Sequence, residues 1–192
     1  MSFIKKTIEE SSAIKLDIIK FCLNDIQATI DLMISAIREK KKIIWCGNGG
    51  SAADAQHMAA ELMGGLVSHS RKPISSIALT TDTSFITAWA NDTDYNTIFS
   101  RQIEGLGNSG DILVAISTSG NSINIFNAIQ TANNMGLKVV ILNGRDGGKI
   151  KDLGDTEICI PSNNTQRIQE GHLLVEHIIC ESIEASIIEN PL

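Results

Sequence analysis

His57 and Glu61 stand four residues apart in a run of helix-forming residues, which puts an imidazole and a carboxylate on one helix face. Such a pair can grip a cation or move a proton, although a plain surface contact has the same spacing. Residues 117–122, Ser-Thr-Ser-Gly-Asn-Ser, crowd four hydroxyls and a glycine between an apolar run and a helical one. Hydroxyls beside the N–H groups of a helix start suit a phosphate monoester; Ser, Asn and Gly also favour ordinary turns and caps. A third group, Gln169, Glu170, His172, Glu176 and His177, holds two of the chain's four histidines. One helix aligns Gln169, His172 and Glu176, while Gln169 and His177 lie about 12 Å apart along its axis. For His172 a solvated or interface position is the expectation. The polar dipeptide Asn91-Asp92 needs no more than a turn.

These residues require elements to hold them. The apolar run 43–46 reads as a strand entering a turn with three glycines, Gly47-Asn48-Gly49-Gly50-Ser51. That turn can bring backbone N–H groups close to an anion. A helix over 51–63 follows, with Ser51 as its N-cap and Gly64-Gly65 as its stop. Further strands are expected over 74–79, 112–116, 138–142 and 157–160. Helical stretches are expected up to residue 90, over 95–106, and from 122 to Gly136. A polar break falls at 91–94. The last helix spans about 165–188, with apolar residues on several faces, as burial against both the sheet and another subunit would require. Residues 4–41 have helical spacing throughout, divided near Asn24-Asp25. Short apolar runs alternating with helices imply right-handed crossovers and a parallel sheet. Ligands of such sheets bind beyond the strands' carboxyl ends, where both polar loops fall. The first loop lacks a complete G-x-G-x-x-G because Ala52 replaces the third glycine, and neither loop carries the Lys-Ser/Thr of a Walker motif.

At 192 residues one domain over 1–192 is expected, its segment 1–41 packing on the domain or on a neighbour. A net charge of −6 argues against a nucleic-acid surface. The run Lys40-Lys41-Lys42 reads as a solvated helix end. Four widely spaced cysteines, Cys22, Cys46, Cys159 and Cys180, read as buried thiols in a reducing cytoplasm. With no signal-like N-terminus and no membrane-length apolar run, no membrane partner is expected.

At these motifs the chain resembles the phosphoheptose isomerases of the SIS (sugar isomerase) superfamily. The resemblance rests on Cys46-Gly47-Asn48-Gly49-Gly50-Ser51, Asp54-Ala55-Gln56-His57 to Glu61-Leu62, and Ala90-Asn91-Asp92. It continues through Ile98-Phe99-Ser100-Arg101-Gln102, Gly110-Asp111-Ile112-Leu113, residues 116–122, Asp146-Gly147-Gly148, and Arg167-Ile168-Gln169-Glu170-Gly171-His172. It implies an α/β three-layer sandwich with a five-stranded parallel sheet, and a homotetramer with sites at subunit interfaces. The implied reaction converts sedoheptulose 7-phosphate, a phosphorylated seven-carbon sugar, to D-glycero-D-manno-heptose 7-phosphate through an enediol. That is an early step towards nucleotide-activated heptose for lipopolysaccharide or capsule. By resemblance His57, Glu61, Gln169 and His177 match zinc ligands, and Glu61 and His177 the proton-transfer pair. Asn48, Gly49, Gly50, Glu61, Asn91, Asp92, Ser117, Thr118, Ser119, Ser122 and Gln169 match substrate contacts. One departure stands out: many relatives carry Arg after Glu-Leu-x-Gly, where this chain has Gly65, leaving Arg71 or Arg101 as substitutes. The superfamily also includes a non-catalytic module that binds the bacterial replication initiator, and isomerases of arabinose 5-phosphate. The combined presence of His57, Glu61, Gln169 and His177 favours the heptose enzyme over the former, and the short chain favours it over the latter.

Overall fold

A computed structural model describes residues 2–192. The chain begins with α1 (Ser2–Phe21) and α2 (Leu23–Arg38), then β1 (Ile43–Gly47), α3 (Gly50–Gly64), β2 (Ser76–Ala78) and α4 (Thr83–Asp92). A 3-10 turn, Tyr95–Thr97, leads into α5 (Ile98–Leu106), and a second, Gly148–Ile150, falls between the last two strands. The second half is β3 (Ile112–Ile116), α6 (Ile123–Asn134), β4 (Lys138–Gly144), β5 (Thr156–Ile160) and α7 (Thr165–Glu189). The five strands form one parallel sheet in the order β2-β1-β3-β4-β5.

The unbroken apolar runs follow from burial on both faces. Ile43 and Trp45 of β1, Ile112, Val114 and Ile116 of β3, and Val140 and Leu142 of β4 face a core shared with α1, α2, α3 and α7. Their neighbours Ile44, Cys46, Leu113, Ala115, Val139 and Ile141 face a second core shared with α5 and α6. Alternate side chains of a strand point to opposite faces, so a strand covered on both sides has no polar position to spare. This is the expected three-layer α/β sandwich.

Several boundaries differ from the expectations. The N-terminal helices divide at Cys22, which continues the backbone bonding of both, and not at Asn24-Asp25. Strand β2, at one edge of the sheet, keeps only three residues, Ser76–Ala78, of the expected 74–79. Asn91 and Asp92 do not break the chain; they are the last two residues of α4, exposed and hydrogen-bonded to each other. Lys42 is not part of a solvated end, since it is half-buried and pairs with the buried Asp111. Cys22, Cys46 and Cys180 are buried thiols, whereas Cys159 is partly exposed. No described helix is long and apolar enough to cross a membrane.

The strand order decides where the site lies. From β1 the chain crosses to β2 on one side; from β3 it proceeds to β4 and β5 on the other. The carboxyl ends of β1 and β3 are therefore neighbours at a topological switch point, with Gly47 paired to Ile116. The glycine turn and the hydroxyl loop, 70 positions apart in the chain, leave the sheet side by side.

Candidate active site

The glycine turn after β1 is closed by its own packing. A Cβ at Gly47 would meet the Ser51 carbonyl at 2.5 Å, and Gly49 has a φ of +58°. The expected cap is corrected here: α3 starts at Gly50 with Gly49 as N-cap, and Ser51 lies inside the first turn. No side chain caps this helix. The loop after β3 has the same character. Ser117 is buried, its hydroxyl lies 3.2 Å from that of Ser122, and α6 begins after Ser122 without a side-chain cap. Gly120, at φ +63°, presses on the Gly147-Gly148 turn so closely that a Cβ would overlap the Gly147 carbonyl. Thr118 and Ser119 remain partly accessible. The start of α6, without a side-chain cap, thus stands beside hydroxyls, an arrangement that attracts an anion, while at α3 the Ser51 and Ala52 N–H groups already bond the Asn48 and Gly49 carbonyls at 3.1 Å.

Helix α7 runs alongside α3 in the same direction. Gln169 lies on Gly50, leaving no room there for a Cβ. Farther along, the rings of His57 and His177 meet edge to face at 5.0 Å, and Cys180 lies 3.7 Å from the Met58 sulfur. At the far end Glu184 accepts the Leu66 and Val67 N–H groups at 3.1 and 2.6 Å. His57 Nε2 is 3.0 Å from Glu61 Oε1, in a half-exposed pair. His177 donates from Nδ1 to the Leu173 carbonyl at 2.9 Å, which fixes the ring and leaves Nε2 as the nitrogen without a backbone partner.

The expected residues therefore fall into separate groups. His57, Glu61 and His177 come together midway along the two helices. Gln169 sits at the loop end, where a cavity of about 280 Å3 is lined by Asp54, Gln166, Gln169, Glu170 and Leu173. Among the described residues, no three His, Cys, Asp or Glu side chains gather closely enough to hold an ion. In donor type, two imidazoles and one carboxylate suit zinc, whereas the Gln169 amide lies outside its ordinary imidazole, thiolate and carboxylate donors. Asn91 and Asp92 reach none of the other site residues through side-chain hydrogen bonds among the described residues.

His172 is neither solvated nor at a surface. It is fully buried, donates from Nε2 to the Asn143 carbonyl at 2.8 Å, and burial pushes its pKa down to about 4. Glu176, one turn on, is also fully buried, and neither carboxylate oxygen has a partner. Burial, reinforced by Asp54, pushes its pKa up to about 8, which favours the neutral acid far more than an ordinary carboxyl would. Burial likewise raises Asp54, against the opposing pull of His57 and His177.

Neither substitute for the missing arginine is free. Arg71 donates to Glu184 at 2.7 Å and to the Glu61 carbonyl at 2.8 Å, tying the loop after α3 to the helix end that carries Glu61. Arg101 pairs with Glu104 and lies 5.2 Å over the Trp89 ring.

Residues 8–144 match the SIS domain family. A phosphoheptose isomerase from Sulfurimonas denitrificans is 49% identical over 187 residues, 96% of this chain and 95% of that protein. The chain belongs to the phosphoheptose isomerase family of SIS-domain proteins. The structure of a phosphoheptose isomerase from Neisseria gonorrhoeae superposes with a TM-score of 0.89 at 41% identity, covering 96% of this chain and 98% of that one. A phosphoheptose isomerase from Francisella tularensis gives 0.93 at 35% identity, covering 96% and 97%.

Proposed function

We propose that this chain isomerises sedoheptulose 7-phosphate to D-glycero-D-manno-heptose 7-phosphate, an aldose–ketose interconversion early in the making of nucleotide-activated heptose. The observation that carries this reading is the meeting of two uncapped helix starts at the β1/β3 switch point, one of them leading into His57 and Glu61. Phosphate binds the hydroxyls of Ser117, Thr118, Ser119 and Ser122 and the first N–H groups of α6. The sugar lies over Asn48, Gly49 and Gly50, with Gln169 closing the far side and Asn91 and Asp92 completing its contacts. The phosphate does not react; it anchors the reacting carbons.

The reaction moves a proton between adjacent carbons. Glu61 takes it from one carbon and returns it to the other, while Nε2 of His177 takes the hydroxyl proton of the first carbon and passes it to the carbonyl oxygen of the second, so the enediol carries no unbalanced charge. His57 holds the Glu61 carboxylate from one side, and Arg71 holds its backbone. His57, Glu61, Gln169 and His177 are the proposed zinc ligands, and a bound zinc ion would supply polarisation of the sugar oxygens. Bringing Gln169 to the other three requires movement or a second subunit. A homotetramer is supported by α1, whose Phe3, Ile4, Ile8, Leu16 and Ile19 are each at least 60% exposed. A cytoplasmic enzyme of this kind needs neither membrane nor nucleic acid.

The test is a purified-protein assay with sedoheptulose 7-phosphate, with and without chelator, on wild type and Glu61→Gln. Wild type is expected to form aldoheptose phosphate, and Glu61→Gln to lose about 10²–10⁴-fold in kcat. No product from metal-replete wild type would end the proposal. Full activity in Glu61→Gln would remove that residue from the chemistry.

A further inference from the structure

Asn124 lies two residues past the hydroxyl loop, in the first turn of α6, and is only 3% exposed. Its carboxamide faces that of Asn48 in the glycine turn. Asn48 Nδ2 donates to Asn124 Oδ1 at 2.9 Å, and Asn124 Nδ2 donates back to Asn48 Oδ1 at 2.8 Å. The Tyr95 hydroxyl donates to the same Asn48 oxygen at 3.0 Å. A carboxamide oxygen has two lone pairs and its nitrogen two hydrogens. Both lone pairs of Asn48 are therefore in use, and one N–H is left. The partners are themselves fixed: Asn127 of α6 donates to the Asn96 carbonyl at 3.0 Å, binding the Tyr95 turn to the same helix. Beside this junction a cavity of about 100 Å3 is bounded by Asn48, Gly49 and Tyr95 among others.

We propose that Asn124 and Tyr95 are positioning residues for the sugar phosphate: they fix Asn48 as a donor-only contact to a substrate oxygen and lock the glycine turn to the hydroxyl loop. This rests on Asn48 being a sugar contact. A free asparagine can present either end of its amide; this one presents only an N–H, so the substrate oxygen that meets it must act as the acceptor. The lock also means that anchoring the phosphate at α6 sets the height of the turn that meets the sugar.

The experiment measures KM and kcat with sedoheptulose 7-phosphate, and Kd by calorimetry, for Asn48→Ala, Asn124→Ala, Tyr95→Phe and the doubles with Asn48→Ala. Asn124→Ala is expected to raise KM and Kd about tenfold, and Tyr95→Phe about threefold, with kcat changing less. In the Asn48→Ala background neither should weaken binding further, because both act through that amide. Losses that add to that of Asn48→Ala would mark independent structural roles and overturn the inference, as would wild-type binding in both singles. Tyr95 is half exposed, so its variant decides the matter even where Asn124→Ala folds poorly. Wild-type binding by Asn48→Ala would overturn the inference while leaving wild-type turnover, and the proposed function, standing. A wild-type protein that binds the sugar but does not turn it over would defeat the function, and the Kd series would still judge the inference.

Discussion

Helices α4 and α7 start with a side-chain cap; α3 and α6 start with none. Asp82 accepts the Phe85 N–H at 2.9 Å at the head of α4, and Asn164 accepts the Gln166 N–H at 3.0 Å at the head of α7. A cap supplies an acceptor for N–H groups that a helix cannot satisfy itself. The capped pair follows the two edge strands, β2 and β5; the open pair follows β1 and β3, which meet at the switch point. Among the α-helices that follow strands, the chain supplies a side-chain acceptor where no ligand is expected and none where an anion is; α2 and α5, also without one, continue from the helical turns before them.

The sharpest way to break this contrast is to cap an open helix. Ser122→Asp places a carboxylate where phosphate is expected; the helix should gain about 0.5 kcal/mol from the charge at its N-terminus, while kcat/KM falls about 10³-fold through lost charge-assisted bonds and repulsion. Thermal melts and steady-state kinetics on one preparation read both. A stabilised variant with normal kinetics would separate the open helix start from substrate binding.

Next in size is the closed interior of α7, judged by melting metal-free protein between pH 6.5 and 4.5. His172, held down to about 4, contributes stability above its ordinary 6.5 that is lost as pH falls towards 4. Glu176, held up to about 8, contributes stability below its ordinary 4.5 that is lost as pH rises through 8. Across this window the two oppose, each with about 1.4 kcal/mol per pH unit. Glu176→Gln should leave stability falling by about 3 kcal/mol on acidification, and His172→Gln should leave it rising. Parallel curves for the two variants would refute the opposition.

A smaller effect is expected from Gly50→Ala, which leaves the helix start open but displaces Gln169: KM should rise about tenfold, with no loss of helical circular dichroism. Smallest is Asn164→Ala at a capped start. It should cost about 1 kcal/mol in denaturant titration and leave kcat and KM unchanged.

The sheet was legible because its strands are apolar without interruption, and only burial on both faces produces that pattern. The two loops were legible because glycine and hydroxyl runs follow such strands directly. Contacts between distant residues were not. Asn124 is an unremarked polar residue in an amphipathic helix, and its partner lies 76 positions away. His172 was misread because α7 carries apolar residues on several faces, so periodicity could not say which face is the core. Ser51 was misread as a cap because Gly49, with its positive φ, can begin the helix two residues earlier. Asn91-Asp92 has a turn's composition, yet the helix beginning at Thr83 continues through both residues.

The side-by-side course of α3 and α7 has a consequence for how such a chain can change length. Four attachments pin the two helices at successive heights: Gln169 on Gly50, His177 against His57, Cys180 beside Met58, and Glu184 under the loop that Arg71 anchors. One residue inserted or deleted midway would turn everything beyond it by about 100° and shift it by about 1.5 Å. Attachments on one side of the change would survive only at the expense of those on the other. Loops after β2 or β4 can absorb an insertion locally, but α7 works as a ruler whose spacing admits substitutions and no change of length.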